Sequence, residues 1–100
     1  MKRQDVLQRI KADKKALNDL KVASLSIFGS VARDEAIPGS DVDILVDFTE
    51  PVGLFHFARL KLHLETLLEA RVDLVTPGAL KQETRTRILS EAIRAVEGPP

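Results

Sequence analysis

The sequence predicts a small α/β (α+β) domain in which helices and strands alternate in the order α-β-α-β-α-β-α. Three short apolar runs, 21–28, 41–48 and 71–75, have the length of strands, and 41–48 alternates along its length. The stretches between them space their apolar residues three and four apart, as amphipathic helices do. Glycine and proline stand at the junctions: Gly29, Pro38-Gly39, Pro51 with Gly53, and Pro77-Gly78. A chain of 100 residues has room for one domain, 1–100, with a small sheet packed against helices.

Taken in order, residues 4–20 form a helix with Val6, Leu7, Ile10, Leu17 and Leu20 on one stripe, interrupted at Asp13 and Lys14. The run 21–28 is a strand ending at Gly29, and 30–35 is a short helix opening at that glycine. Residues 36–40 are a loop. In the strand 41–48, Val42, Ile44, Val46 and Phe48 share a face. The clearest helix spans 53–70, with Leu54, Phe57, Leu60, Leu64, Leu67 and Leu68 on its stripe. After the strand 71–75, Thr76-Pro77-Gly78 reads as a helix start. The last helix runs over 83–96, with Ile88, Leu89, Ala92 and Val96 inward, and Gly98 with two prolines closes it.

Fifteen basic and fifteen acidic residues give a net charge of zero, which excludes a chain-wide basic nucleic-acid surface. There is no cysteine, so disulfides, thiolate metal sites and a cysteine nucleophile are ruled out. There is no tryptophan or tyrosine. No apolar run approaches the roughly 20 residues of a membrane span, and the charged first residues do not resemble a signal peptide. A cytoplasmic protein is the expectation. The charge is nonetheless unevenly spread. Residues 1–21 hold seven basic and three acidic groups, a balance of +4, whereas 34–50 hold six acids and no base. Lys11, Lys14, Lys15 and Lys21 read as a solvated face or a contact to an acidic partner, and direct nucleic-acid binding is not expected.

Asp41 and Asp43 lie two apart in an otherwise apolar strand, so both point to one face. Like charges this close oppose folding unless a cation neutralises them, and hard divalent ions favour carboxylate oxygens. The competing reading places Asp41 at the surface and Asp43 at a solvated edge. Upstream, Ile27-Phe28-Gly29-Ser30 is strand, turn and helix start. The glycine permits close backbone approach, and the first helical amides, the Ser30 hydroxyl and Arg33 one turn on suit an anion. A plain strand–helix turn would read the same way, and no Walker-type lysine follows. Asp73 lies in a third short strand. It sits beside the pair if that strand neighbours 41–48, where it could take a proton from a hydroxyl. Alone, it would be an edge residue paired with Arg71 or a lysine.

Gly29-Ser30, ten intervening residues, Asp41-Val42-Asp43 and later Asp73 resemble the polymerase-beta-type nucleotidyltransferase superfamily. The string GSVARDEAIPGSDVDILVDF is similar to the minimal nucleotidyltransferases (MNT) of bacteria and archaea, and the similarity continues through GLFHFARLKLHLETLLEARVDLVTPGAL. The resemblance implies a mixed nucleotidyltransferase sheet flanked by helices. It implies Mg2+ and ATP as co-substrate, and a role as antitoxin to a HEPN-type ribonuclease toxin, onto which AMP is passed, in some members at tyrosine. Carried over by position, Asp41, Asp43 and Asp73 are the metal ligands and catalytic acids, with Asp73 as general base. Gly29, Ser30, Arg33 and Ser40 are the nucleotide-binding residues. One departure is Asp34, where many relatives have glycine; it must point away from the phosphates.

Because the chain lacks tyrosine, a tyrosine acceptor must lie on another molecule. Nothing is left over to build a second domain over the cleft, so a partner chain or a second copy is expected to cover it. Phe55, His56, Phe57 and the outer side of the 53–70 helix are the candidate surface. The plainer expectation makes Phe57 core and leaves His56 and His63 solvated. Two other functions stay open: an antitoxin acting by binding alone, and a small-molecule nucleotidyltransferase.

Overall fold

The computed structural model describes residues 2–97. Helices α1 (Arg3–Ala12) and α2 (Lys14–Asp19) lead into strand β1 (Val22–Phe28), and the four-residue helix α3 (Gly29–Ala32) follows at once. Then come β2 (Val42–Phe48), α4 (Leu54–Leu68), β3 (Val72–Val75), a single 3₁₀ turn (Pro77–Ala79), α5 (Gln82–Glu91) and β4 (Ile93–Glu97).

The sheet order is β3-β2-β1-β4. β1 pairs antiparallel with β2 and β4, while β3 runs parallel to β2. A parallel neighbour cannot be reached by a tight turn, and α4 supplies the crossover. The expected mixed sheet flanked by helices is therefore present. One face carries the main core. Leu25 and Ile27 of β1, Val42, Ile44 and Val46 of β2, and Val72 and Leu74 of β3 pack with Leu60, Leu64 and Leu68 of α4 and with Val6, Ile10 and Leu17 of the first two helices. On the opposite face a smaller cluster forms from Phe28, Leu45 and Ile88, with Val75, Leu80 and Ala92 against it. The alternation along β2 thus turns Val42, Ile44 and Val46 to one side and Asp43, Leu45 and Asp47 to the other. Phe48 packs half-buried against the main core.

The carboxyl-terminal element corrects the single helix expected over 83–96. The helix ends at Glu91, Ala92 is already extended (φ −66°, ψ 138°), and Ile93–Glu97 pairs with β1. Ile88, Ala92 and Val96 do face inward, but Leu89 is exposed. A short apolar segment satisfies helix and strand periodicity alike. Here the deciding factor is the open edge of β1, whose backbone groups the fourth strand pairs. The expected helix start at Thr76 is only the 3₁₀ turn, and α5 begins at Gln82. The glycine and prolines expected to close the last helix lie outside the described residues.

The first helix divides at Asp13 (φ −99°, ψ 13°), where its stripe was interrupted. There the Asp13 carboxylate meets His63 Nε2 at 2.6 Å. His56 Nε2 donates to the Leu20 carbonyl, and the ring stands edge-on to Phe48. Neither histidine is merely solvated. Phe57 packs half-buried against the core, whereas Leu54, expected on the inner stripe of α4, is 79% exposed because it occupies the first position of the helix, ahead of the core. No helix among the described residues is long and apolar enough to cross a membrane.

Leu64 is fully buried where α4 meets the sheet. Replacing it with alanine should cost about 2–5 kcal/mol of unfolding free energy, read from the denaturant midpoint at unchanged slope.

Candidate active site

The site is built where β1 ends and β2 begins. Phe28 is the register partner of Asp43, so Gly29 leaves the sheet directly beside that aspartate. Gly29 has φ +70°, and a Cβ there would overlap Asp43 Oδ2. Both facts demand glycine: one for backbone conformation, the other for room. On the far side of β2, the parallel register sets Asp73 next to Asp43. The two carboxylates therefore share the face that carries Phe28 and Leu45. Asp41, one residue before the strand, is exposed and pairs with Arg71 at 3.3 Å.

Burial, and then the neighbouring Asp73 and Asp41 carboxylates, push the Asp43 carboxyl above the usual aspartate range. Arg33 opposes the rise and Glu91 adds to it. The acids thus form a cluster of excess negative charge, as the sequence suggested. They are not a closed cage: among the described residues no three acidic or imidazole side chains converge as metal ligands. That is compatible with a magnesium ion, which is commonly held by one or two carboxylates with water and substrate phosphates filling the remaining positions. Hard carboxylate oxygens in surplus, with Asp43 destabilised in its charged form, fit such an ion.

The other expected residues gather less evenly. Ser30 sits half-buried in the first turn of α3, where helical amides have no partner within the helix. Arg33 closes that helix, but its Nε donates to Glu35 and its Nη1 donates to Glu91, each at 3.2 Å. The Ser40 hydroxyl accepts from the Ile37 amide at 3.1 Å and stabilises its own loop. It lines a cavity of about 590 Å³ shared with Arg71 and Arg9, to one side of the acids. Asp34 has φ +60°, and its carboxylate accepts from the Arg3 amide at 3.3 Å, on the side of α1.

Glu91 was not foreseen. It reaches the site only because α5 ends over the second face of the sheet. There its Oε1 accepts from the Gly29 amide at 3.1 Å while Oε2 takes Arg33. A helix continuing to residue 96 gave no reason to bring it there. No local feature of the sequence singled it out.

The profile of the nucleotidyltransferase domain family matches residues 7–95. The chain belongs to this family. Protein adenylyltransferase MntA of Thermococcus cleftensis is 45% identical to it over 83 residues, across 82% of this chain and 84% of that protein. A solved structure provisionally described as a minimal nucleotidyltransferase superposes with a TM-score of 0.81 at 41% identity, covering 93% of this chain and 95% of the other. A chain from the solved complex of tri-AMPylated Shewanella oneidensis HEPN toxin with MNT antitoxin shares the fold. It has a TM-score of 0.60 at 17% identity, over 88% of this chain and 72% of that one. As a nucleotidyltransferase, this chain carries the glycine–serine turn and the acids of β2 and β3 on one face of the sheet, beside one another.

Two outcomes follow from this geometry. Gly29→Ala should lower stability by about 1–3 kcal/mol, from the left-handed backbone and the overlap with Asp43, as read from chemical denaturation. Asp43→Asn should raise the melting temperature in chelator at pH 7. A carboxyl whose pKa is raised by folding binds its proton more tightly in the folded state, so its ionisation costs stability above that raised pKa. The gain should vanish as the pH falls towards the ordinary aspartate value of about 3.9.

Proposed function

We propose that the chain is a magnesium-dependent protein adenylyltransferase that passes AMP from ATP to a hydroxyl on a HEPN-type toxin, and so acts as its antitoxin. The observation that carries this reading is the pairing of Asp43 with Asp73 on adjacent parallel strands, with Gly29 packed against Asp43. The family membership supports nucleotidyl transfer. The name of the 45%-identical relative supports protein as the acceptor, and the complex sharing the fold supports a HEPN partner. With no tyrosine in the chain, a tyrosine acceptor lies on that partner.

Asp43 and Asp73 would hold the metal, joined by Asp41 once its carboxylate is released from Arg71. Bound magnesium supplies neutralisation of charge at the α-phosphate and on the leaving pyrophosphate. The Ser30 and Val31 amides and the Ser30 hydroxyl receive phosphate oxygens, and Arg33 contributes positive charge beside them. Asp73, the exposed member of the pair, accepts the proton of the acceptor hydroxyl. That oxygen then forms a bond to the α-phosphorus as the bond to pyrophosphate breaks, giving AMP-modified partner and pyrophosphate.

A second reading, neutralisation by binding alone, draws on one observation. Leu54 and Phe55 at the start of α4 are 79% and 88% exposed. Leu54 also rims an open groove of about 830 Å³ that includes Phe48 and Pro77. Phe57, half-buried against the core, lines the same groove, whereas His56 turns to the Leu20 carbonyl.

Labelled AMP should pass from ATP to the co-expressed partner only with magnesium. Asp73→Asn should reduce the turnover rate by about 10²–10⁴-fold. Full transfer by Asp43→Asn would overturn the catalytic assignment. If the Asp41→Asn, Asp43→Asn double variant still neutralises the toxin at equal dose, binding alone suffices.

A further inference from the structure

We infer that Glu91 is a positioning residue for nucleotidyl transfer, its carboxylate fixing the glycine turn and Arg33 in the arrangement that receives the triphosphate. This role rests on the transferase reading above.

The backbone gives the first reason. At φ +70° Gly29 has left the sheet, and its amide needs an acceptor elsewhere. Glu91 Oε1 provides it at 3.1 Å. The second oxygen of the same carboxylate accepts from Arg33 Nη1 at 3.2 Å. One side chain thus grips both ends of α3, the turn that opens it and the arginine that closes it. Gly29 is held from two sides, by Asp43 against its Cα and by Glu91 at its nitrogen.

Glu91 is itself well anchored. It is the last residue of α5, one turn after Ile88, which is buried against Phe28 and Leu45. Two residues later Ile93 pairs with Ile27 of β1. Its side chain is 27% exposed, so the charge is partly sheltered from water. The carboxylate is not placed there for the sake of Asp43, to whose unfavourable charge it adds. Its placement is accounted for by the two donors it holds. Because the Gly29 amide is occupied, the amides offered to a phosphate are those of Ser30 and Val31, and Glu91 sets where they point. A rival role is also physically coherent: a carboxylate lodged between an amide and a guanidinium could be a plug that phosphate must displace. The two roles predict opposite changes in ATP affinity.

The test combines transfer kinetics on the co-expressed partner with amide hydrogen exchange on the nucleotide-free chain. Glu91→Ala should raise KM for ATP about tenfold while kcat changes less than about threefold, the scale of one lost charge-assisted hydrogen bond. The Gly29 amide should exchange at least about tenfold faster, with Leu25 and Ile27 in β1 far less affected. Glu91→Gln still offers an oxygen to Gly29 but loses its charge towards Arg33, so its KM should fall between those of wild type and Glu91→Ala. If Glu91→Ala does not fold, Glu91→Gln decides: a raised KM supports the role and an unchanged one overturns it. A lower KM in either variant overturns it in favour of the plug. A fall in apparent kcat that tracks the folded fraction, with KM unchanged, reduces Glu91 to a structural residue. A wild-type chain that transfers no AMP overturns the transferase reading and this role with it; a wild-type chain that does, beside an unaltered Glu91→Ala, overturns this role alone.

Discussion

The contact on which the site depends is that of Gly29 with the Asp43 carboxylate. The antiparallel register of β1 and β2 brings Phe28 opposite Asp43, so the chain must leave the sheet within van der Waals reach of a charged side chain. Only a residue without a Cβ can occupy that place, and only one tolerant of a positive φ can turn the chain away there. The short helix α3 starts from this turn, and the crossover through α4 returns β3 on the other flank of β2 with Asp73 in register. Turn, acids and helix are therefore one geometric unit.

The zero net charge conceals a division of labour. Acids accumulate on one face of the sheet, where Asp43 is held under repulsion and the folded protein is less stable for it, as functional carboxylates often are. The basic first helix is partly taken up within the chain. Arg3 donates to the Ala32 carbonyl, and Arg9 reaches the Leu67 carbonyl and the Glu69 carboxylate. These contacts brace α1 against the ends of α3 and α4, so those arginines serve the fold before any partner. Arg71 pairs with Asp41 in the same way, at the exposed edge of the acidic cluster.

Much of this was legible in the sequence, for reasons that can be named. The alternation over 41–48 reports directly which side chains share a face, and the spacing of α4's leucines reports its buried stripe. Gly29 was legible because it stands between a strand and a helix start, in a Gly29-Ser30 pair that ten residues separate from Asp41. Two kinds of information were not local. The segment 92–97 carries both periodicities, and only the unfilled edge of β1 selects the strand. Glu91 follows from that choice, since its reach to Gly29 and Arg33 exists only where α5 stops. Leu54 failed for a related reason: a periodic stripe does not say how far the sheet extends beneath the first turn of a helix.

Asp34 shows what an aspartate costs and gains where the backbone suits glycine. Its left-handed backbone explains why glycine suits the position, since an aspartate there bears steric strain. Glycine relieves that strain but leaves the unfolded chain with more conformations to lose on folding. The aspartate narrows that loss and gains a hydrogen bond to the Arg3 amide. Aspartate in place of glycine at position 34 is thus an exchange between unfolded-state entropy and folded-state strain, and its negative charge is directed towards the amino-terminal helix.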